Sequence, residues 1–150
     1  MSLKIDDLDI SILNELKKNS RESFREMAEK LDVAEGTIYN RVSKLQSAGV
    51  IKGFIADIDY SKLGYDLTAV IGLIVDGPHL PEIEKDISKS SNVSAVYDVT
   101  GEYDALVVGK FKDRESLNSF VKNVLSTQYI RRTHTMLVLN VVKEEHSVGI

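Results

Sequence analysis

The sequence predicts an α+β chain: an N-terminal helix-turn-helix of the winged type, joined by a strand to a ferredoxin-like βαββαβ domain. Three observations carry that reading. Apolar residues recur at helical spacing from Ile5 to Leu45, the period falls to two from Phe54 to Tyr60, and the breaks after Gly64 order the remainder as strand, helix, strand, strand, helix, strand. The expected domains are 1–52 and 65–150, with a connecting strand or hinge at 53–64.

Ile5, Leu8, Ile12 and Leu16 place a first amphipathic helix at about Asp6–Lys18. The second opens at Ser23-Phe24-Arg25-Glu26, where the hydroxyl can accept from the third helical amide and the glutamate can reach back to the cap. Phe24, Met27, Ala28 and Leu31 form its inward stripe, and Ile38, Val42 and Leu45 form that of the third helix. Between them, Asp32-Val33-Ala34-Glu35 is too short for antiparallel stacking and suits a steep crossing, with Asp32 taking the left-handed conformation. Gly49-Val50-Ile51 ends the third helix.

Phe54, Ala56, Ile58 and Tyr60 then alternate with Ile55, Asp57 and Asp59, the pattern of a half-buried connecting strand. Beyond the break at Ser61-Lys62-Leu63-Gly64, strands are expected at about 67–76, 93–100, 105–111 and 133–142. Helices are expected at about 81–90 and 114–125, the second capped by Asp113. Ile83 and Ile87 on one, and Leu117, Phe120, Val121 and Val124 on the other, give each a single apolar face. Two helices cover only one side of a four-stranded sheet. Ala69, Val70, Ile71, Leu73, Ile74 and Val75 nevertheless make the first strand apolar on both sides, so the other face calls for a cover, most simply a second copy of the chain. A two-fold dimer would pair the third helices.

Composition bounds the function. A net charge of −4 argues against indiscriminate coating of nucleic acid, so any contact with DNA has to come from a focused patch. The chain has no cysteine, which removes disulfides, thiolate metal sites and cysteine nucleophiles. It has no signal-like start and no membrane-length apolar run, so a cytoplasmic location is expected. His79, His134 and His146 lie far apart without ligand spacing, and no Gly-rich phosphate loop or nucleophile elbow is present. No metal, cofactor or catalytic residue is expected.

With Ile38, Val42 and Leu45 turned inward, the third helix presents Thr37, Asn40, Arg41 and Lys44 outward, with Tyr39 and Ser43 on its flank. Asn can pair bidentately with adenine and Arg with guanine, and a Thr methyl can meet the thymine methyl. From Gly36 to Ala56 no acidic residue occurs, while Arg41, Lys44 and Lys52 do, leaving a positive strip in an acidic chain. Arg25, at the start of the second helix, is a further candidate. The Gly101-Glu102-Tyr103-Asp104 turn joins two adjacent strands and combines a carboxylate, a phenol and a close-approach backbone position. An α-ammonium group suits Asp104, but a glycine–aspartate turn is also what a plain hairpin needs, so the residues alone leave both readings open. Tyr97 and Asp98 are weaker candidates.

A helix-turn-helix carrying Ala34-Glu35-Gly36-Thr37-Ile38-Tyr39-Asn40-Arg41-Val42, then Leu45 and Gly49-Val50-Ile51, precedes a βαββαβ pattern with Thr100-Gly101-Glu102-Tyr103-Asp104 and Arg132-Thr133-His134-Thr135. In this order and spacing the chain resembles the Lrp/AsnC (feast/famine) transcription regulators over nearly its whole length. The resemblance implies a sequence-specific regulator of prokaryotic, often archaeal, type. It implies homodimers on double-stranded DNA that assemble into tetramers or octamers and respond to an amino acid. It also implies an effector near the Gly101–Asp104 turn, between dimers, with Thr133 and Thr135 offering hydroxyls. The chain departs from the family in having Ala34 where a capping serine is common, and in a less basic third helix. Two rival readings are an enzyme similar in layout to siroheme decarboxylases and a nucleoid-type architectural protein without sequence preference. The first needs basic residues for haem propionates, and the helix-turn-helix half has no histidine.

Overall fold

The computed structural model describes residues 4–145 and 148–150; His146 lies outside the described residues. The chain divides into two compact units, Met1–Asp57 with Glu144–Ile150, and Ile58–Lys143. That division falls inside the 53–64 connector, and the C-terminal segment groups with the helices rather than with the sheet it follows. In the first unit, Asn14 Nδ2 donates to the Ile150 carbonyl and Lys17 Nζ to the Val148 carbonyl, tying that segment to the first helix.

The helical unit contains α1 (Asp7–Lys18), α2 (Phe24–Leu31) and α3 (Glu35–Ser47). Each start has a local chemical cause. Asp6 caps α1 through a reciprocal box with Asp9, and Ser23 caps α2 through the expected box with Glu26. Asp32, at φ 52°, ends α2 in the left-handed conformation and turns the chain into α3, whose Ala34 cap makes no side-chain hydrogen bond. Ile12, Met27, Ile38, Val42 and Leu45 are almost wholly buried where the helices meet. Phe24, Leu31, Val33 and Ile51 close the sides of that core.

The α3 C-terminus follows from one glycine. Gly49, at φ +72°, donates to the Gln46 carbonyl while Val50 donates to Leu45, the paired closure that satisfies two end carbonyls and brings Ile51 onto the core. Residues 52–59 adopt no strand, so the connecting strand expected around Phe54–Tyr60 is corrected: alternation alone supplies no partner for its amides. Phe54, Ile55 and Ile58 remain exposed.

The second unit contains β1 (Leu67–Val75), α4 (Leu80–Ile87), β2 (Val93–Asp98), β3 (Ala105–Phe111), α5 (Arg114–Leu125) and β4 (Ile130–Leu137). All neighbouring strands are antiparallel in the order β2-β3-β1-β4, the split βαβ arrangement the element order predicts. Asp113 caps α5, its carboxylate accepting from Ser116 N–H at 2.7 Å. Ala69, Ile71, Leu73 and Val75 point into the core under α4 and α5, with Val107 and Phe111 from β3. Val70 lies on the other face opposite Val108 and Met136, and Gly72 lies opposite Leu106 and His134. Neither helix of the unit packs there, and Met136 and Tyr97 remain exposed.

The last strand differs from its expected span of 133–142. It starts earlier because Ile130 reaches Val75 across an irregularity at Arg131 of β4, after Tyr129 turns the chain at φ 77°. It stops earlier because β1 runs out: Leu137 pairs with Ala69, and Val138 N–H donates to Thr68. Leu139 and Val142, apolar as they are, project into solvent. Since a Cβ at Gly49 would meet no atom, Gly49→Ala tests torsion alone. It is expected to lower the stability of the helical unit by about 1–2 kcal/mol, the cost of a left-handed non-glycine residue; thermal melting followed by circular dichroism measures this, and an unchanged transition refutes the cap.

Candidate nucleic-acid interface and ligand site

Burial of Ile38, Val42 and Leu45 fixes the rotation of α3 and turns Asn40 and Lys44 to solvent. Tyr39 is exposed on the flank, with its ring edge-on to Phe24 of α2 at 6.3 Å. Thr37 is half-buried, and Gly36 leaves open space beside the first turn. Lys44 and Lys52 make no ion pair among the described residues, so their charge is available. Arg25 is exposed and pairs with Glu29 at 3.3 Å. A shallow depression between α2 and α3 is lined by Arg25 and by three carboxylates, Glu29, Asp32 and Glu35, so the unpaired positive charge of α3 and the residues just after it is carried by Lys44 and Lys52.

Arg41 stands apart from the other outward residues. Its Nη1 lies 2.6 Å from Asp6 Oδ2 and 3.1 Å from Asp9 Oδ1, and Asp9 is only 1% exposed. The guanidinium hydrogen bond holds the Asp6 carboxyl below its ordinary range, and Asp6 and then Asp9 raise Arg41 further. Its chemistry is therefore engaged with α1. The signal in the sequence was Asp9 itself, a carboxylate at the inward position between Ile5 and Ile12 that calls for a cation.

The Gly101-Glu102-Tyr103-Asp104 turn is attached to β1 as well as closing β2 onto β3. Gly101 is at φ +127°, Val99 N–H donates to the Asp104 carbonyl, and Asp104 N–H donates to Leu73 at 2.9 Å. Asp104 Oδ2 accepts from Val75 N–H at 2.8 Å, where the irregular β1–β4 pairing has shifted register. One carboxylate oxygen thus holds the strand, and the other has no hydrogen bond among the described residues. The Tyr103 ring is packed against Gly72: a Cβ there would stand 2.6 to 2.8 Å from its ring carbons. His134 meets the same ring edge-on at 5.9 Å.

The two threonines fall on the other side of the sheet. Thr133 pairs with Leu73 and Thr135 with Ile71, so both hydroxyls share the helix-covered face, Thr133 half-buried and Thr135 exposed, while Tyr103 occupies the open one. Asp104 and Thr133 are brought to one end of β1, flanking Leu73. Glu102 is exposed at the turn. Tyr97 lies on the open face opposite Leu106, and Asp98 ends β2 opposite Ala105. Glu84 of α4 has an unpartnered buried Oε1; burial, then the charge of Asp98, raises its carboxyl.

Sequence reasoning missed a cluster at this same end. The His79 ring stacks on Tyr129 at 3.5 Å, Tyr129 is one of two non-glycine residues at positive φ among those described, and its carbonyl accepts from Asp76 N–H, while Arg131 pairs with Asp76. Nothing in the pattern around Tyr129 marks that conformation in advance.

Two family models match the chain: a winged helix-turn-helix DNA-binding domain over residues 5–52 and an Lrp/AsnC ligand binding domain over residues 68–148. An uncharacterized HTH-type transcriptional regulator of Pyrococcus furiosus is 52% identical over 95% of this chain and 97% of its own length. The HTH-type transcriptional regulator FL11 of the same organism is 36% identical over 93% of each chain. Among solved structures, Escherichia coli AsnC is 29% identical with a TM-score of 0.89, covering 95% of this chain and 97% of that one. A Neisseria meningitidis transcriptional regulator solved in complex with L-Met shares the fold at a TM-score of 0.90 and 23% identity, with 97% of each chain covered. No helix among the described residues is long and apolar enough to cross a membrane. With a DNA-binding helix-turn-helix and a ligand-binding sheet domain in the expected order, this chain belongs to the Lrp/AsnC family of transcriptional regulators.

Proposed function

We propose that the chain is a cytoplasmic, non-enzymatic regulator that reads DNA with the exposed edge of α3 and is modulated by an amino acid bound at the Gly101–Asp104 turn. The observation that carries the reading is the α3 edge itself: Asn40 and Lys44 stand free over a fully buried Ile38–Val42–Leu45 stripe. Asn40 supplies bidentate base contact, Lys44 and Lys52 meet phosphates, and Gly36, Thr37 and Tyr39 line the approach. Arg25, paired with Glu29, contributes at the margin.

A homodimer follows from the open face of the sheet, where Val70, Leu106, Val108 and Met136 line up across three strands without a cover from their own unit. A second copy on that face makes a two-fold particle whose reading helices address half-sites about 34 Å apart or a multiple of that. Tetramers or octamers then form by contacts between dimers. The effector's polar groups meet the free Asp104 oxygen, Glu102, the Gly101 and Tyr103 backbone, and the Thr133 and Thr135 hydroxyls. Effector binding biases DNA affinity by about 1–3 kcal/mol through the assembly.

Selection of duplexes from random-sequence DNA, followed by affinity measurements, tests the reading. Asn40→Ala is expected to cost about 1–3 kcal/mol on the selected duplex and to relax base preference at one position. Lys44→Ala is expected to weaken selected and unrelated duplexes alike and to reduce the salt slope by ~0.9 for each phosphate the lysine neutralises. Recovery of no preferred sequence would instead favour an architectural role. Titration with each amino acid is expected to identify at least one that changes affinity about 5-fold or more; no response from any of them refutes the sensor. Val108→Asp, which puts a charge on the open face and leaves the covered core intact, is expected to convert dimer to monomer in sedimentation analysis; an unchanged mass places the dimer interface elsewhere.

A further inference from the structure

Asp9 is the one charged side chain among the described residues that is fully buried, and it interrupts an otherwise apolar inner face of α1. Its two oxygens are divided: Oδ2 accepts from Asp6 N–H at 3.1 Å, and Oδ1 accepts from Arg41 Nη1 at 3.1 Å. Asp6 answers in kind, Oδ1 accepting from Asp9 N–H at 3.0 Å and Oδ2 from the same Arg41 nitrogen at 2.6 Å. The reciprocal helix cap thus brings two carboxylates together, and a single guanidinium reaching across from α3 neutralises both. Removing that cation would leave like charges side by side, one of them out of contact with water, a state that is strongly unfavourable. Arg41 is also sequence neighbour to Val42 and one turn from Ile38, so its stem leaves α3 beside the buried stripe rather than from the crest that carries Asn40.

We propose that Arg41 is a positioning residue for DNA recognition and not a DNA ligand: its fork onto Asp6 and Asp9 sets the rotation and tilt of α3 against α1, and thereby where Asn40 and Lys44 fall in the groove. Asp9, remote from any duplex, then determines specificity through Arg41. A phosphate competing for the guanidinium would have to strip it from both carboxylates, whereas Lys44 and Lys52 meet no such competitor among the described residues. This inference rests on the reading of α3 as the DNA-facing helix.

The test uses the full-length protein, a duplex recovered by selection from random-sequence DNA, and an unrelated duplex of equal length, each titrated over a range of salt. Asp9→Asn preserves the shape and the cap acceptor, Arg41→Met preserves the stem, and active-site titration of DNA-competent protein removes any effect of partial unfolding. Each variant is expected to lose on the order of tenfold in affinity for the selected duplex, the scale of one base contact. The selected-to-unrelated affinity ratio is expected to fall, the double variant to be no worse than either single one, and the salt slope to stay that of the parent. If Asp9→Asn does not fold, Asp6→Asn is read in its place, since asparagine caps as well as aspartate and Arg41 keeps its Asp9 contact; a smaller loss at an unchanged slope is expected. The proposal is overturned if neutralising either aspartate leaves affinity unaltered or raises it, as freeing a DNA-binding arginine would do. It is equally overturned if Arg41→Met reduces the salt slope by about one per bound protomer. Asn40→Ala and Lys44→Ala run in parallel: if neither changes binding, α3 is not the DNA face, a result distinct from any failure at Asp9.

Discussion

β1 is the element on which the ligand-binding unit depends, because it is one of the two inner strands, pairs with both β3 and β4, and is apolar on both faces. One face is covered by α4 and α5, and this alone accounts for the buried Ala69–Ile71–Leu73–Val75 row. The C-terminal end of the same strand organises the candidate ligand site. Leu73 accepts from Asp104, Val75 donates to its carboxylate, and Thr133 is held across from Leu73. A β-strand with a slipped register leaves an amide without its ladder partner; here Asp104 supplies the missing acceptor, so the turn and the strand end form one construction.

The helical unit solves a different problem, that of meeting a polyanion with an acidic chain. The arginines of α2 and α3 are already engaged: Arg41 with Asp6 and Asp9, Arg25 with Glu29. Three carboxylates around the α2–α3 turn repel phosphate from the start of α3. What remains on this side is a short cationic segment at Lys44 and Lys52. On the DNA-reading role proposed for α3, few phosphate contacts per protomer give a shallow salt dependence per protomer, and the proposed dimer offsets this by joining weak contacts on one DNA through effective concentration.

Much of this was legible because its causes are local. Ser23 and Glu26 announce the start of α2, Asp32 the turn, Gly49 the end of α3, and Asp113 the start of α5, each by chemistry confined to a few residues. Sheet order was legible because element order leaves few topologies for two helices and four strands. What failed depends on partners distant in sequence. The length of β4 is set by where β1 begins, so Leu139 and Val142 look like strand and are not paired. Alternation at 54–60 reads as a strand but finds no neighbour among the described residues. Arg41 reads as one more outward polar residue of α3, and its pairing with Asp6 and Asp9 was not visible because the partners lie 35 and 32 residues away, in a cap built from residues that also fit an ordinary acidic helix start. At the ligand site the motif located the turn, while the separation of Tyr103 from Thr133 onto opposite faces came only from register.

Tyr103 supplies a physical link between the two surfaces of the sheet unit. It belongs to the turn proposed for the effector, yet its ring lies on the open face, pressed over Gly72, where any larger residue would have to displace it. His134 holds the ring from the β4 side. A ligand that changes the turn backbone by a fraction of an ångström therefore acts on a ring at the face proposed to meet a second chain, and packed surfaces respond to such a shift by moving between discrete arrangements rather than by yielding continuously. Asp104 opposes this by anchoring the far end of the turn to Val75. The turn is thus fixed at its C-terminal end, by the Asp104 carboxylate and the adjacent Tyr103 ring, so the strain of binding is directed to Gly101 and Glu102, the exposed residues that precede them.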